Sequence, residues 1–408
     1  MKTIDEMNAI WSTCIDQHIL KIEYVDVLAA QGCVLAENVV TPIPIPHFDK
    51  SAVDGYAICG PDKPHNLDTY KLVARLGAGE CYKGELRLGE AVRIMTGAPI
   101  PKGANTVVMQ EQCSEEDAVL SISGNFTYGS HIIYKGEDCP ANTLLLRQGT
   151  LLNAAQIAVL AGVGINRVPI YENPRVLVMS TGREVVMPHE PLSEGQIYNS
   201  NLYMLIGLLR EIGIEAVKTH HMTDDPTCIE KEITHLQDII AKERITVVIS
   251  TGGVSVGDYD VMPMVYERLG AKMLYNRLPM RPGAASYGGY NEERNVLFFG
   301  LSGNPTAAYN CFQLIVKPVL RMLQGYSESD NNAERFYCKL GSELAKTNPL
   351  DRYIQGIVRV EKQELVFYPN EVFMASSLAS LATVHALGIM RAGTHELHIG
   401  DRIEVICC

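Results

Sequence analysis

The sequence predicts a multidomain α/β protein: a doubly wound, mainly parallel sheet domain, an inserted β-rich domain, a helical N-terminal domain and a C-terminal β-barrel-like domain. Three observations carry this expectation. At 408 residues the chain is too long for one core and calls for two to four domains. From about Pro174 to Gly325, apolar β-branched runs alternate with helical patterns, as repeated strand–helix units require. On both sides of that region lie short extended runs broken by glycine, proline and asparagine.

The totals narrow the class. With 47% hydrophobic and 20% charged residues the chain reads as ordinary globular protein. A formal net charge of −12 argues against a general nucleic-acid binder, because no basic surplus is available to neutralise a phosphate backbone. A small anion needs only a local cation cluster and stays open. The eleven cysteines include no C-x-x-C pair, so free thiols in a reducing cytosol are expected. Met1-Lys2-Thr3-Ile4-Asp5-Glu6 lacks the order of a signal peptide, and no apolar run approaches the roughly 18 residues of a membrane span. A soluble, cytoplasmic protein with no membrane or nucleic-acid partner is the expectation.

In chain order, Ile4, Met7, Ile10, Trp11, Cys14 and Ile15 mark one helical face, a stripe suited to a core or subunit contact. Three alternating prolines, Pro42, Pro44 and Pro46, then impose an extended connector. It delivers Asp49 to Ala57, a polar turn feeding a strand, where simple turn chemistry explains Asp54-Gly55. Ala91–Met95 and Thr106–Met109 read as strands of a β-rich domain, with Thr96-Gly97-Ala98-Pro99 between them and Lys135-Gly136-Glu137-Asp138 closing it. A helical pattern returns from Leu152 to Ala161. The expected division is 1–45 with 147–173 for the helical domain, 46–146 for the insert, 174–326 for the α/β domain and 327–408 for the C-terminal β domain.

The α/β region carries the candidate site. Ligands of open parallel sheets gather outside the carboxyl ends of the strands. Those ends hold Thr181, Gly182 and Glu184; Asp224 and Asp225; the loop 250–260; Arg277 and Arg281; and Ser302, Gly303 and Asn304. The loop Ser250-Thr251-Gly252-Gly253-Val254-Ser255-Val256-Gly257-Asp258-Tyr259-Asp260 follows the apolar strand Ile245–Ile249 and precedes a helical pattern from Val261 to Leu269. Strand, glycine turn and helix start suit a phosphate or another tetrahedral anion. An ordinary βα loop would also place glycine there. Five polar loops on successive strands of one sheet favour a site over five coincidences.

Hard oxygen ligands at Glu184, Asp224, Asp258 and Asp260 suit Mg²⁺ acting on a nucleotide or pyrophosphate ester. Neither G-x-x-x-x-G-K-[ST] nor a strand-following G-x-G-x-x-G occurs, which argues against a P-loop ATPase and a dinucleotide-dependent dehydrogenase. Arg277 and Arg281 flank a proline-containing turn and could face one anion. His220-His221 could offer only one side chain to the site, since neighbours on a strand point to opposite faces. His395 and His398 fall in an expected surface hairpin.

At this point the sequence closely resembles a known family. Phe48 to Ala57, Arg93 to Pro99, Lys135 to Asp138, Gly195-Gln196-Ile197-Tyr198-Asn199-Ser200-Asn201, the 250–260 loop and Ser302-Gly303-Asn304-Pro305 look like molybdopterin molybdenumtransferases, relatives of the C-terminal region of gephyrin. The resemblance covers essentially the whole chain in order. It implies insertion of molybdate into adenylylated molybdopterin with release of AMP, Mg²⁺ dependence and a four-domain homodimer. As catalytic residues it implicates Asp54, Thr96 and Asp138 from the insert, and Glu184, Asp224 and Asp260 from the sheet, and it also implicates Arg277 and Arg281. It further implies that the two groups meet across the dimer interface, which overturns the turn reading of Asp54-Gly55. Thr181, Gly182, Ser250, Gly252, Gly253, Ser255, Gly257, Arg277, Arg281, Ser302, Gly303 and Asn304 are the expected substrate-binding set. The molybdopterin adenylyltransferase is an expected partner.

Some positions depart from the family pattern. Arg183 stands where an acid is usual, Arg277 and Arg281 replace commoner lysines, and Ala284 replaces the lysine of P-G-K-P. The C-terminal region matches least, around Glu371 to Phe373. Two alternative readings remain. A sibling adenylyltransferase shares the Gly-Gly loop domain but usually lacks the Asp-Gly-Tyr-Ala and Thr-Gly-Ala-Pro elements. A gephyrin-like scaffold would call for a further N-terminal domain and a long linker.

Overall fold

The computed structural model describes residues 3–15, 20–61, 69–123, 126–215, 217–223, 227–254, 261–327, 331, 335–344, 349–370 and 378–408. Contacts divide the chain into two compact units. One comprises Met1–Glu37, Gly149–Ile157 and Arg167–Cys408; the other comprises Asn38–Gln148 and Ala158–Asn166.

The first unit is built on a six-stranded sheet. Its strands are β1 (Val176–Thr181), β2 (Val217–Met222), β3 (Val247–Thr251), β4 (Lys272–Arg277), β5 (Ala285–Asn291) and β6 (Val296–Leu301). The spatial order is β2-β1-β3-β6-β5-β4. The first four are parallel, while β5 runs antiparallel to both β6 and β4. β1, β3 and β6 are buried along their whole length, which is why they read as unbroken apolar runs.

Helices cover both faces. Leu202, Leu205, Leu208 and Leu209 of helix Ser200–Glu211 pack on Val176, Val178, Val247 and Ile249. On the opposite face Ile229, Ile233, Leu236 and Ile240 of helix Ile229–Lys242 pack against Leu177, Met179 and Val248. The spacing of those apolar residues is a helical stripe, and burying each one stabilises the fold by about 1.5–3 kcal/mol.

The long final helix is interrupted. It comprises Pro305–Cys311, a wide π turn over Phe312–Val316 and Lys317–Leu323. Pro318 has no N–H, so the Leu314 carbonyl lacks its helical donor. Asn8 of the N-terminal helix Ile4–Cys14 supplies one, its Nδ2 donating to Leu314 O at 3.1 Å. A reciprocal capping box starts that N-terminal helix. Thr3 Oγ1 accepts from Glu6 N at 3.1 Å, and Glu6 Oε2 accepts from Thr3 N at 2.6 Å.

The C-terminal strands close on themselves. Asp351–Glu361 pairs with Glu364–Pro369, followed by Arg335–Leu340, Arg402–Cys407 and Ala386–Met390, which returns to Asp351–Glu361. Phe367, Leu340, Ile354 and Val405 fill this barrel. Met280–Arg281 adds to it in parallel with Asp351 and Arg352.

The second unit contains another six-stranded sheet, ordered Thr106–Met109, Gly55–Ile58, Glu90–Ile94, Thr69–Arg75, Val119–Ile122 and Cys113–Glu116. Side chains alternate across it, so Ala57, Val92, Ile94 and Val107 form one cluster while Tyr56, Ile58, Tyr70 and Val108 form another. Gly55 begins a central strand because a β-carbon there would lie 2.0 Å from the Val108 carbonyl oxygen. Close strand approach, rather than turn chemistry, demands that glycine.

Candidate active site

The carboxyl ends of β1, β3 and β6 open into a pocket of about 550 Å³. Thr181 ends β1 and Gly182 follows it, Thr251 ends β3 and Gly252 and Gly253 follow it, and Gly303 lies beyond β6. Tyr198, Ser200 and Asn201 form the wall at the start of helix Ser200–Glu211, with Arg183 and Glu184 on the exposed side. Glycine permits the close approach of β1 and β3: a β-carbon at 252 would stand 3.2 Å from the Thr181 carbonyl oxygen. Glu184 folds back so that its Oε1 lies 2.6 Å from where a β-carbon at 182 would be.

Polar side chains underneath hold these loops. Asn201 Nδ2 donates to Thr251 Oγ1 at 2.7 Å and to Gly303 O at 2.9 Å. Thr251 Oγ1 donates to Ser302 O at 3.2 Å, and Thr181 Oγ1 approaches Thr251 O at 3.5 Å. Asn304 caps the helix from Pro305, its Oδ1 accepting from Thr306 N at 3.0 Å, while its own N–H donates to Ser302 Oγ at 3.2 Å.

Of the expected substrate-binding residues, Thr181, Gly182, Gly252, Gly253 and Gly303 line the pocket, as does Glu184 of the catalytic set. Ser302 and Asn304 lie beneath it in supporting roles. Ser250 does not reach it. It is fully buried on the opposite side of β3, where Tyr266 OH donates to its Oγ at 2.6 Å. Burial pushes the Tyr266 hydroxyl far above its ordinary value, so it remains a donor. The Gly252 N–H is also engaged, donating to Leu301 O at 3.0 Å, and is not free for an anion.

Arg277 and Arg281 are exposed and outside the pocket lining. Arg277 ends β4 opposite Ala285, while Arg281 pairs with Arg352 on the barrel. His221 Nδ1 bonds to Ser180 Oγ at 2.8 Å, and His220 Nε2 to Glu232 Oε2 at 2.7 Å, each on its own face of β2. Asp224, Asp258, Asp260, Ser255 and Gly257 lie outside the described residues.

The second unit assembles its own polar turn. Asp54 Oδ1 accepts from Thr96 N at 2.7 Å and from Thr96 Oγ1 at 2.9 Å. Nearby, the Lys135 N–H donates to Asp49 Oδ1 at 2.7 Å, while Asp138 N donates to Ile45 O at 3.0 Å. The Thr96 backbone N–H chiefly, then its hydroxyl and more weakly the Arg93 charge, holds the Asp54 carboxyl below its usual range. Its contribution to stability is therefore present above the ordinary carboxylate value and lost as pH falls through the depressed one. Carboxylate-detected NMR should show an Asp54 midpoint below that of a free aspartate, moving upward in Thr96→Ala. An unmoved midpoint would mean that the hydroxyl bond is absent in solution.

Among the described residues no group of three or more His, Cys, Asp or Glu side chains forms a metal cluster. Among the groups lining the pocket are the Glu184 carboxylate and the hydroxyls of Thr181 and Ser200, hard oxygen ligands that suit Mg²⁺ better than zinc.

A glycine-lined pocket at the carboxyl edge of a doubly wound sheet defines an α/β protein with its ligand site in the usual place of such folds. Residues 3–164 match the family model "MoeA N-terminal region (domain I and II)", and residues 177–322 match "Probable molybdopterin binding domain". The chain is 34% identical over 381 residues to a Bacillus subtilis protein named molybdopterin molybdenumtransferase, covering 91% of this chain and 86% of that one. A Staphylococcus epidermidis protein of the same name is 32% identical over 379 residues, covering 92% and 88%. The crystal structure of a molybdopterin biosynthesis moeA protein from Pyrococcus horikoshii superposes with a TM-score of 0.80 at 26% identity, covering 100% of both chains. The chain belongs to the molybdopterin molybdenumtransferase family.

Sequence reasoning assigned no role to Ser180, Tyr198, Asn199, Ser200 or Asn201, although it singled out the segment containing the last four. The available signal was Asn-Ser-Asn at a helix start, where such residues cap the helix and bond neighbouring loops.

Proposed function

We propose that the protein inserts molybdate into adenylylated molybdopterin, releasing AMP and forming the molybdenum cofactor. The observation that carries this reading is the coincidence of the pocket with the segment matching a molybdopterin-binding model, inside a chain related over 91% of its length to proteins named for that transfer. In this reaction two dithiolene sulfurs bind molybdenum, and their protons leave with one molybdate oxygen as water. Water then splits the phosphoanhydride into AMP and the phosphate monoester. Molybdenum keeps its oxidation state.

The chain's part is to bind and orient. Thr181, Gly182, Gly252, Gly253 and Gly303 shape the floor against the phosphates, with Ser255 and Gly257 continuing the loop. Arg277 and Arg281 neutralise molybdate or the anionic groups of the pterin. Asp54, Thr96 and Asp138 are the catalytic contribution of the second unit. Glu184, with Asp224, Asp258 and Asp260, would hold Mg²⁺, which supplies charge neutralisation on the pyrophosphate when bound. The working form is a cytoplasmic homodimer that receives its substrate from the molybdopterin adenylyltransferase.

Purified protein given adenylylated molybdopterin, Mg²⁺ and molybdate should release AMP and leave molybdenum in the pterin. A chelator should suppress both products, and light scattering should return twice the chain's mass. If AMP and pterin-bound molybdenum stay at the level of a protein-free control, the enzymatic reading fails.

A further inference from the structure

We propose that Asn201 is a positioning residue of this site, setting the spacing between the Thr251–Gly253 loop and Gly303. The inference rests on the substrate's phosphates binding in this pocket. Two asparagines flank Ser200 at the start of helix Ser200–Glu211, and each reaches a different part of the sheet. Asn199 Nδ2 donates to Ser180 Oγ at 2.8 Å, and Ser180 Oγ in turn bonds to His221 Nδ1 at 2.8 Å. Asn199 Oδ1 caps the helix by accepting from Leu202 N at 3.2 Å. Asn201 reaches the other way, to Thr251 Oγ1 and Gly303 O. One short segment thereby ties together the carboxyl ends of β1, β2, β3 and β6.

The orientation of the Asn201 amide follows from its partners. Gly303 O can only accept, so the group facing it must be the NH₂. The single hydrogen of Thr251 Oγ1 goes to Ser302 O at 3.2 Å, so that oxygen must accept from Asn201. Asn201 is only 7% exposed, and its Oδ1 is buried with no hydrogen-bond partner among the described residues. Both amide donors thus serve pocket loops. Asp in its place would keep the shape but lose both N–H bonds and turn an oxygen toward a carbonyl.

Kinetics of five variants, one of them double, test the assignment. Asn201→Ala and Asn201→Asp should each raise KM for adenylylated molybdopterin on the order of 10- to 100-fold, with kcat changed by less than about 3-fold, because lost positioning weakens ground-state and transition-state binding alike. Asn8→Ala removes a side-chain amide bond of the same kind outside the pocket, to Leu314 O, and should leave KM within about 3-fold. In a cycle with Thr251→Val, the double variant should raise KM by less than the product of the two single effects, since the two residues share the Asn201–Thr251 bond. Wild-type KM in Asn201→Asp, or an equal rise in Asn8→Ala, would overturn the proposal while the enzymatic reading stands. Should wild type show no turnover, that reading fails, and AMP binding by calorimetry still decides this one. Affinity should fall about 10-fold in Asn201→Ala. Unchanged affinity, or no AMP binding by wild type, overturns it.

Discussion

Replacing Trp11 with alanine should lower the unfolding free energy by about 3–5 kcal/mol, the usual loss when a buried large aromatic is truncated. Trp11 is completely buried, and its ring centroid lies 4.7 Å from that of Phe299 and 6.2 Å from that of Tyr275. Gly288 makes room for it, since a β-carbon there would fall 2.9 Å from the indole. Ile4 and Met7 bury on the same helical face, so the cavity would also loosen the helix that carries the Asn8 bond to Leu314. Urea unfolding followed by tyrosine fluorescence checks this. A loss under about 1 kcal/mol would show that the helix is undocked in solution, because exposed substitutions stay within ±0.5 kcal/mol.

Gly252→Ala should cut kcat/KM about 100-fold, the scale of a roughly 1 Å misplacement of binding groups. Gly252 has φ +92°, and an added β-carbon would sit 2.7 Å from Thr181 Oγ1 and 3.2 Å from Thr181 O. Rotating Thr181 relieves the first contact but not the second, which involves backbone. β1 and β3 must then part at the point where both enter the pocket. The strained backbone costs about 1–3 kcal/mol as well, so activity is measured well below the variant's unfolding midpoint. Activity within 3-fold of wild type would show that this turn is not in contact with the substrate.

The α/β domain was legible because its periods are clean. β1, β3 and β6 are apolar throughout, and the helices between them carry single apolar stripes. The strand-end rule then brought Thr181, Gly182, Glu184, Gly252, Gly253 and Gly303 to one pocket without reference to any relative. Ser250 failed because strand alternation was not applied at the loop boundary. Thr251 faces the pocket, so its neighbour must face the other side of the sheet and meets Tyr266. The wide turn at Phe312–Val316 has no local signal in the sequence beyond Pro318. Whether a proline breaks a helix depends on what can reach the freed carbonyl, and here Asn8 arrives from more than 300 residues away.

By itself the sequence determined the alternation of strands and helices, the glycine turns at the strand ends and, through the Asp54, Thr96 and Gly195–Asn201 motifs, the family. Those features are local: they depend on residue period, backbone freedom and short spacing. Only the tertiary structure decided that Asn199 and Asn201 fasten four strand ends, that Thr251 and not Ser250 meets the pocket, and that Gly55 serves close strand approach. Each of these is a contact between residues distant in sequence. A hydrogen bond or a β-carbon clash is set by separation in space, which no local pattern encodes.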